Sequence, residues 1–182
     1  MQICRIAVIG AGVAGRDFAI ACAQAGLDVV LEDVMPAKLR QAEAVYADLT
    51  VGGGMGSLKL ALTVEDAVRE ADIAVDFVPD ELESKLEIFS LIDRMASPKT
   101  ILCTPTNVLS ITDLASCVYR PERCVALRGV LVSGGKVRLI HPAGVSKDVL
   151  ASVQEFLEAL GIDVLPEVDV DAPMLVKHEP GQ

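Results

Sequence analysis

The sequence predicts a doubly wound α/β fold, in which helices cover both faces of a mostly parallel sheet. Short apolar runs alternate with helix-like segments along the 182 residues, as expected of a parallel sheet. Apolar residues make up 52% of the chain and aromatic residues only 3%, a composition typical of strands buried on both faces. A glycine-rich turn joins the first strand to the first helix. We expect a single domain over residues 1–182, large enough to bury a sizeable core.

The first unit of the chain has the order strand, turn, helix, strand. Residues 4–9 are an apolar run of strand character, followed at once by the turn Gly10-Ala11-Gly12-Val13-Ala14-Gly15. Residues 16–25 are alanine-rich and predict a helix. Gly26 ends this helix, because glycine readily adopts the left-handed conformation needed there. Residues 28–33 predict a second strand that ends in acidic residues.

If this unit binds a dinucleotide, each of its glycines and its terminal acid has a structural role. Gly10 permits the sharp turn, Gly12 lets the backbone approach a pyrophosphate, and Gly15 lets the helix pack close to the sheet. The N–H groups and the positive dipole end of the helix then face the phosphates. Asp33 is placed to accept hydrogen bonds from the adenosine ribose hydroxyls, and its charge would repel a 2′-phosphate. The unit therefore favours NAD over NADP, and the alternative is an α/β domain whose glycine turn is merely tight.

Charge and composition exclude several classes of partner. The net charge of −10 argues against nucleic acid and acidic membranes, because phosphate binding demands a basic surface. No apolar run approaches the length of a membrane span, and the N-terminus enters a core strand without a signal peptide. The 5 cysteines show no metal-ligand spacing, so we expect buried small apolar residues and no metal site. A cytoplasmic protein is the simplest interpretation.

The remaining elements follow from hydrophobic periodicity and turn residues. Helices are predicted at residues 36–49, 82–95 and 147–159, with short ones starting near Val64 and Ile111. Strands are predicted at residues 58–62, 73–78, 100–103, 124–127, 137–140 and 163–165. The glycine-rich segment at residues 52–56 predicts a flexible loop, because no Lys-Ser/Thr pair follows it to make a phosphate cradle.

Several segments together resemble the NAD-binding N-terminal domain of the 3-hydroxyacyl-CoA dehydrogenase family. The glycine turn within residues 6–15 and the strand at residues 27–33 are common to many dehydrogenases. More specific are Val78-Pro79-Asp80-Glu81-Leu82-Glu83-Ser84-Lys85, Leu109-Ser110-Ile111-Thr112, Arg120-Pro121-Glu122-Arg123 and Pro180-Gly181, in this order and spacing. The resemblance covers nearly the whole chain and implies a Rossmann fold that binds NAD.

The resemblance also implies which residues hold the cofactor. The adenosine diphosphate half would lie on Gly10, Ala11, Gly12, Val13, Ala14, Gly15 and Asp33. Asp80 matches an acidic position near the nicotinamide ribose, and Lys85 matches a lysine on the following helix that also lies near the cofactor. Without the resemblance, Asp80 and Lys85 would be interpreted as a solvated helix start. Asn107 stands where the family has an active-site serine, and its amide could hydrogen-bond the substrate or the nicotinamide.

The chain departs from the family at the residues that move protons. Arg128 occupies the position of the family's catalytic histidine. The glutamate that orients this histidine would fall on Ile140 by direct counting, or on Arg138 if the loop at residues 133–135 is two residues shorter. Neither residue is a carboxylate, and arginine essentially never deprotonates. The two histidines, His141 and His178, are more simply interpreted as ordinary polar residues than as displaced bases.

Two functional hypotheses remain open. The first is an NAD-dependent oxidoreductase acting on a 3-hydroxyacyl-CoA or a related hydroxy acid, with very poor or no activity in the isolated chain. The second is a non-catalytic NAD-binding sensor or scaffold subunit. In the family a helical domain follows Pro-Gly, whereas this sequence ends at Gln182. We therefore expect a homodimer or a partner subunit, contacted through the sheet edge and residues 129–142.

Overall fold

A central sheet of eight strands organises the computed structural model, which describes residues 1–50 and 53–170. The strands are β1 (Arg5–Ile9), β2 (Asp28–Glu32), β3 (Leu58–Ala61), β4 (Ile73–Asp76), β5 (Ile101–Pro105), β6 (Cys124–Gly129), β7 (Lys136–His141) and β8 (Asp163–Val168). Their spatial order is β3-β2-β1-β4-β5-β6-β7-β8. All neighbouring pairs are parallel except β6 and β7, which form an antiparallel pair. The predicted fold class is confirmed.

Helices cover both faces of this sheet. They are α1 (Val13–Gln24), α2 (Pro36–Thr50), α3 (Val64–Val68), α4 (Leu82–Met95), α5 (Ile111–Ala115) and α6 (Lys147–Ala159), with a 3-10 turn at Pro121–Arg123. The first face, covered by α1, α2 and α6, buries Phe18, Leu39 and Phe156. The second face, covered by α3, α4 and α5, buries Val68, Phe89 and Leu114. Nearly continuous burial of the central strands explains why they are rich in aliphatic residues.

The strand order reverses between β1 and β4, which lie side by side in the sheet. In open α/β sheets, the crossover helices on the two sides of such a point diverge and leave a crevice at the carboxyl ends of the strands. The turn after β1 and the segment after β4 therefore border this crevice. It is the site at which such folds bind their ligands.

Several element boundaries differ from the predicted ones. Helix α1 begins at Val13, inside the glycine motif, so Gly15 is a helical residue. Strand β4 ends at Asp76, and β8 continues to Val168. In the glycine-rich segment, residues 53–57 are neither helix nor strand, as predicted, whereas Gly52 lies outside the described residues. Gly56 is nevertheless tied to its surroundings, since its N–H donates to Ala23 O at 2.7 Å.

The cysteines were predicted to be buried. Cys22, Cys103 and Cys124 are buried and behave as small apolar residues. The prediction is wrong for Cys4 and Cys117, which are exposed. Cys4 precedes β1 and Cys117 follows α5, so both lie at element ends rather than within the core-facing positions of an element.

Candidate functional site

The glycine turn after β1 is built as dinucleotide binding requires. Gly10 has φ of +101°, and its N–H donates to Glu32 O at 2.8 Å, which ties the turn to β2. A Cβ on Gly15 would lie 1.9 Å from Gly10 O, so only glycine lets α1 pack against the turn. A Cβ on Gly12 would meet nothing within 4 Å. Gly12 therefore borders open space at the N-terminus of α1, where a pyrophosphate is expected.

Asp33 lies just beyond β2 and braces this turn. Its side chain is buried; Oδ2 accepts from Ala11 N–H at 2.8 Å and Oδ1 accepts from Met35 N–H at 2.8 Å. Lys38 Nζ approaches Oδ2 at 3.4 Å. Burial raises the pKa of Asp33, but these N–H groups and Lys38 outweigh burial and hold the pKa below its ordinary value. An ionised acceptor thus stands beside the glycine turn, as the ribose role of Asp33 requires.

The neighbouring carboxyl group, that of Glu32, has a different environment. Glu32 is the last residue of β2 and is buried. Burial, together with the charge of Asp33, raises its pKa from 4.5 to about 7. Sequence reasoning assigned no role to Glu32. The sequence did contain a sign of its burial. Glu32 is an acidic residue in an otherwise apolar strand, and strand alternation directs its side chain toward the core.

Beneath the crevice lies a buried ion pair. Lys85 Nζ donates to Asp76 Oδ1 at 2.7 Å and to Pro105 O at 3.0 Å. Both side chains are at most 1% exposed, so the interpretation of Lys85 as part of a solvated helix start is wrong. Helix α4 turns this position toward the sheet, and Asp76 meets it from the end of β4. Burial raises the pKa of Asp76, and Lys85 opposes this effect.

The structure brings Asp80 and Asn107, two of the predicted site residues, into contact. The exposed carboxylate of Asp80 accepts from the Thr106 hydroxyl and, at 2.9 Å, from Asn107 N–H. The Thr106 oxygen in turn accepts from Leu109 N–H at 3.0 Å. These bonds fix the turn between β5 and α5, and they leave the exposed Asn107 side chain at the crevice edge. Sequence reasoning assigned no role to Thr106, although a hydroxyl in a polar turn is a usual signal of such bonding.

The β6–β7 pairing shows which residue lies across the strands from Arg128. Arg128 lies directly opposite Arg138, whereas Ile140 lies opposite Ala126. Arg138 therefore faces Arg128 across the pair, and it forms a bidentate ion pair with Glu167 at 2.6 and 2.7 Å. Arg128 donates to Thr106 O at 3.3 Å and to Leu109 O at 2.8 Å. Two guanidinium groups thus occupy neighbouring positions on the second face of the sheet.

The histidines do not join this group among the described residues. His141 alternates to the opposite face of β7 from Arg138, and its Nδ1 lies 2.8 Å from Pro142 O. His178 lies outside the described residues. In residues 1–50 and 53–170, no group of three or more His, Cys, Asp or Glu side chains could hold a metal ion. No helix in the same ranges is long and apolar enough to cross a membrane.

Comparisons with known proteins identify the family of this chain. The family described as "3-hydroxyacyl-CoA dehydrogenase, NAD binding domain" matches residues 5–165. The chain is 32% identical over 136 residues to the 5-formyl-3-hydroxy-2-methylpyridine 4-carboxylate 5-dehydrogenase of Mesorhizobium japonicum, covering 69% of this chain and 44% of that protein. It is 31% identical over 140 residues to the probable 3-hydroxybutyryl-CoA dehydrogenase of Bacillus subtilis, covering 70% of this chain and 48% of that protein.

A solved structure extends the match over most of the chain. The 3-hydroxyacyl-CoA dehydrogenase of Archaeoglobus fulgidus superposes with a TM-score of 0.78 at 26% identity, covering 92% of this chain and 57% of that protein. The chain spans less than half the length of the two curated relatives, at 44% and 48%. It belongs to the 3-hydroxyacyl-CoA dehydrogenase family, and the matched region is the NAD-binding domain of that family.

Proposed function

We propose that the chain binds NAD(H) through the crevice and serves an oxidoreductase that acts on a 3-hydroxyacyl-CoA or a related hydroxy acid. The adenosine diphosphate half lies on Gly10, Ala11, Gly12, Val13, Ala14, Gly15 and Asp33, and the nicotinamide half lies near Asp80, Lys85 and Asn107. The observation that carries the cofactor assignment is the ionised Asp33 bonded to Ala11 N–H beside the open space at Gly12. NAD supplies hydride transfer when it is bound.

The same proposal makes the isolated chain a very poor dehydrogenase. Oxidation of a hydroxyl requires a base with a pKa near the working pH to take the hydroxyl proton. Arg128 stands at the family's histidine position, and either Ile140 or Arg138 stands at the position of the orienting glutamate. None of these side chains can accept that proton. Arg128 instead donates to Thr106 O and Leu109 O, so it holds the turn that carries Asn107.

The names of the relatives set the substrate classes to test. One matched relative is named for a pyridine carboxylate and another for 3-hydroxybutyryl-CoA. We therefore propose either a free hydroxy acid or its CoA thioester as substrate, and a second copy or a partner subunit that completes the site. The rival proposal is a non-catalytic NAD-binding sensor or scaffold subunit. The bonding of Arg128 to backbone carbonyls favours this rival for the chain acting alone.

Two measurements on the full chain test the proposal. Calorimetric titration with NADH and with NADPH should show binding of NADH in clear preference, and binding of neither would overturn the cofactor assignment. NADH consumption is then followed with short 3-oxoacyl-CoA substrates and with free oxo acids. Ordinary enzymes turn over at about 1–10³ s⁻¹. Turnover within tenfold of that range would remove the rival proposal and show that another residue transfers the proton.

A further inference from the structure

Glu32 is a buried carboxyl group that the proposed function does not use. Its side chain is 4% exposed and makes no hydrogen bond or ion pair with any residue in the described ranges 1–50 and 53–170. A carboxyl group that is only 4% exposed and has no protein partner is costly to ionise, so it is rarely retained in a strand without a role. The group stands one residue before Asp33, at the carboxyl end of β2, on the border of the proposed cofactor site.

Strand alternation places Glu32 and Asp33 on different sides of the sheet edge. Asp33 is reached by Lys38 from α2, on the first face. Glu32 follows Val30 in alternation and lies on the second face, with Ile9 of β1 and Ala61 of β3 beside it in register. Helices α1 and α2 pack on the first face. Helix α3 packs on the second face against β1, β2 and β3, so a base attached to a ribose held by Asp33 finds its space beyond the strand ends, next to Glu32 at the end of β2.

The tip of Glu32 reaches the surface at this edge. The buried side-chain atoms that lack a hydrogen-bond partner, within the described residues, are Asp76 Oδ2 and Thr104 Oγ1. The Glu32 oxygens are not among them, so the small exposure of this residue includes its carboxyl group. Large apolar side chains stand exposed directly after the same strand ends, with Val34 at 79% and Leu62 at 57%. Val34 and Leu62 could pack against the flat face of an aromatic base, while the Glu32 carboxyl group bonds its polar edge.

We propose that Glu32 acts as a neutral carboxylic acid that hydrogen-bonds the adenosine half of the bound dinucleotide and tunes its affinity. This inference rests on the proposed placement of the cofactor at Gly12 and Asp33. A neutral acid supplies one O–H donor and one carbonyl acceptor, which suits the nitrogen acceptors and amino donor of a purine. An ionised Glu32 would lose the donor and add a negative charge near the pyrophosphate.

The surroundings shift the pKa values of Glu32 and Asp33 in opposite directions. Burial and the charge of Asp33 raise the pKa of Glu32 to about 7, whereas the pKa of Asp33 is held below its ordinary value. The register neighbours Ile9 and Ala61 carry no charge. From α3, Glu65 and Asp66 are ion-paired with Arg69, and from β4 Asp76 is paired with Lys85.

A pH series of binding measurements tests this role. Affinity for NAD⁺ and for ADP-ribose, which lacks the nicotinamide, is measured by calorimetry from pH 6 to pH 8.5 for the unaltered chain, Glu32→Gln and Glu32→Leu. If binding raises the pKa of Glu32 by one unit from about 7, the unaltered chain loses about sevenfold in affinity across this range. Glu32→Gln stays neutral and keeps a donor, so between pH 6 and pH 8.5 its affinity for both ligands should change less than about twofold. Glu32→Leu should bind weakly at every pH.

The outcomes separate this inference from the cofactor assignment. Glu43→Gln, at an exposed position of α2, is the matched control and should follow the unaltered chain. Binding that is equally strong and equally pH-dependent in the unaltered chain and Glu32→Gln overturns the role of Glu32. An effect of Glu32→Gln on NAD⁺ but not on ADP-ribose also overturns it, because the contact would then lie in the nicotinamide half. Absence of binding of either ligand to the unaltered chain instead overturns the cofactor assignment itself.

Discussion

Lys85 Nζ lies 2.7 Å from Asp76 Oδ1, inside the protein and directly below the crevice. Because the same ammonium also donates to Pro105 O, one side chain of α4 joins the ends of β4 and β5. The turn that begins after β5 carries Thr106 and Asn107, which bind Asp80. The ion pair therefore supports the proposed nicotinamide side of the crevice from beneath.

Removal of one partner of this pair should be strongly destabilising. Lys85→Met leaves the Asp76 carboxylate buried without its cation, and broken buried pairs cost about 3–5 kcal/mol. Lys85→Met combined with Asp76→Asn removes both charges and should recover a large part of that loss. Chemical denaturation measures the free energy of unfolding of each variant. Lys147→Met, at an exposed position, is the control, and a double variant no more stable than Lys85→Met would contradict this account.

Asp33→Ala should weaken NADH binding and remove the discrimination against NADPH. The carboxylate is expected to accept hydrogen bonds from the ribose, and charge-assisted hydrogen bonds contribute about 1.5–3 kcal/mol. The change also frees Ala11 N–H, which loosens the glycine turn. Fluorescence titration with both reduced cofactors measures the effect, with the exposed Asp48→Ala as control. If Asp33→Ala still prefers NADH over NADPH as strongly as the unaltered chain, the adenosine ribose does not bind at Asp33.

Arg128→His should not restore a dehydrogenase. A histidine there would face Arg138, whose guanidinium already pairs with the Glu167 carboxylate, and it would lose the bonds to Thr106 O and Leu109 O. Loss of hydrogen bonds from a charged donor should lower the free energy of unfolding by about 1.5–3 kcal/mol. NADH consumption with short 3-oxoacyl-CoA and thermal unfolding give the two readouts, with the exposed Arg69→His as control. A rise in turnover of about 10²-fold, the lower end of acid–base catalysis, would refute this prediction.

Glu32→Gln should stabilise the cofactor-free protein, increasingly so as pH rises. Because the pKa of Glu32 is raised in the fold from 4.5 to about 7, the folded state holds a proton that the unfolded state has released. The resulting penalty is absent below about pH 4.5 and complete above about pH 7, where it amounts to about 3 kcal/mol. Urea denaturation of both chains from pH 4 to pH 8 measures the difference. A constant difference over this range would show that Glu32 ionises normally.

An exposed apolar surface at one end of the sheet predicts self-association or a partner. Val130 and Val132 follow β6 and are 57% and 56% exposed, and Leu165 on the neighbouring edge strand β8 is 64% exposed. Bare apolar patches of this kind are usually interaction sites. Light scattering at tens of micromolar should show a homodimer, which Leu165→Asp should dissociate. If the unaltered chain and Leu165→Asp are both monomeric, the homodimer prediction is wrong.

The sequence by itself determined the elements and the position of the glycine turn. Gly10, Gly15 and Asp33 could be assigned because a turn, a close helix contact and a strand-end acid are all specified within thirty-odd consecutive residues. Alternating apolar runs likewise predicted the strands and the helices that cover them, because periodicity is a local property of the chain. Boundaries shifted by a few residues, as at Val13 and Asp76, where hydrogen bonding rather than composition decides the end.

Only the tertiary structure decided which polar side chains meet. The order of β1, β4 and β5 in the sheet, with α4 packed across them, brings Lys85 to Asp76 and Pro105, and no local pattern reports strand order. The antiparallel register of β6 and β7 placed Arg138, not Ile140, opposite Arg128. Hydrogen bonding likewise separated the pKa values of Glu32 and Asp33, since burial raises both and only Asp33 accepts from N–H groups and Lys38.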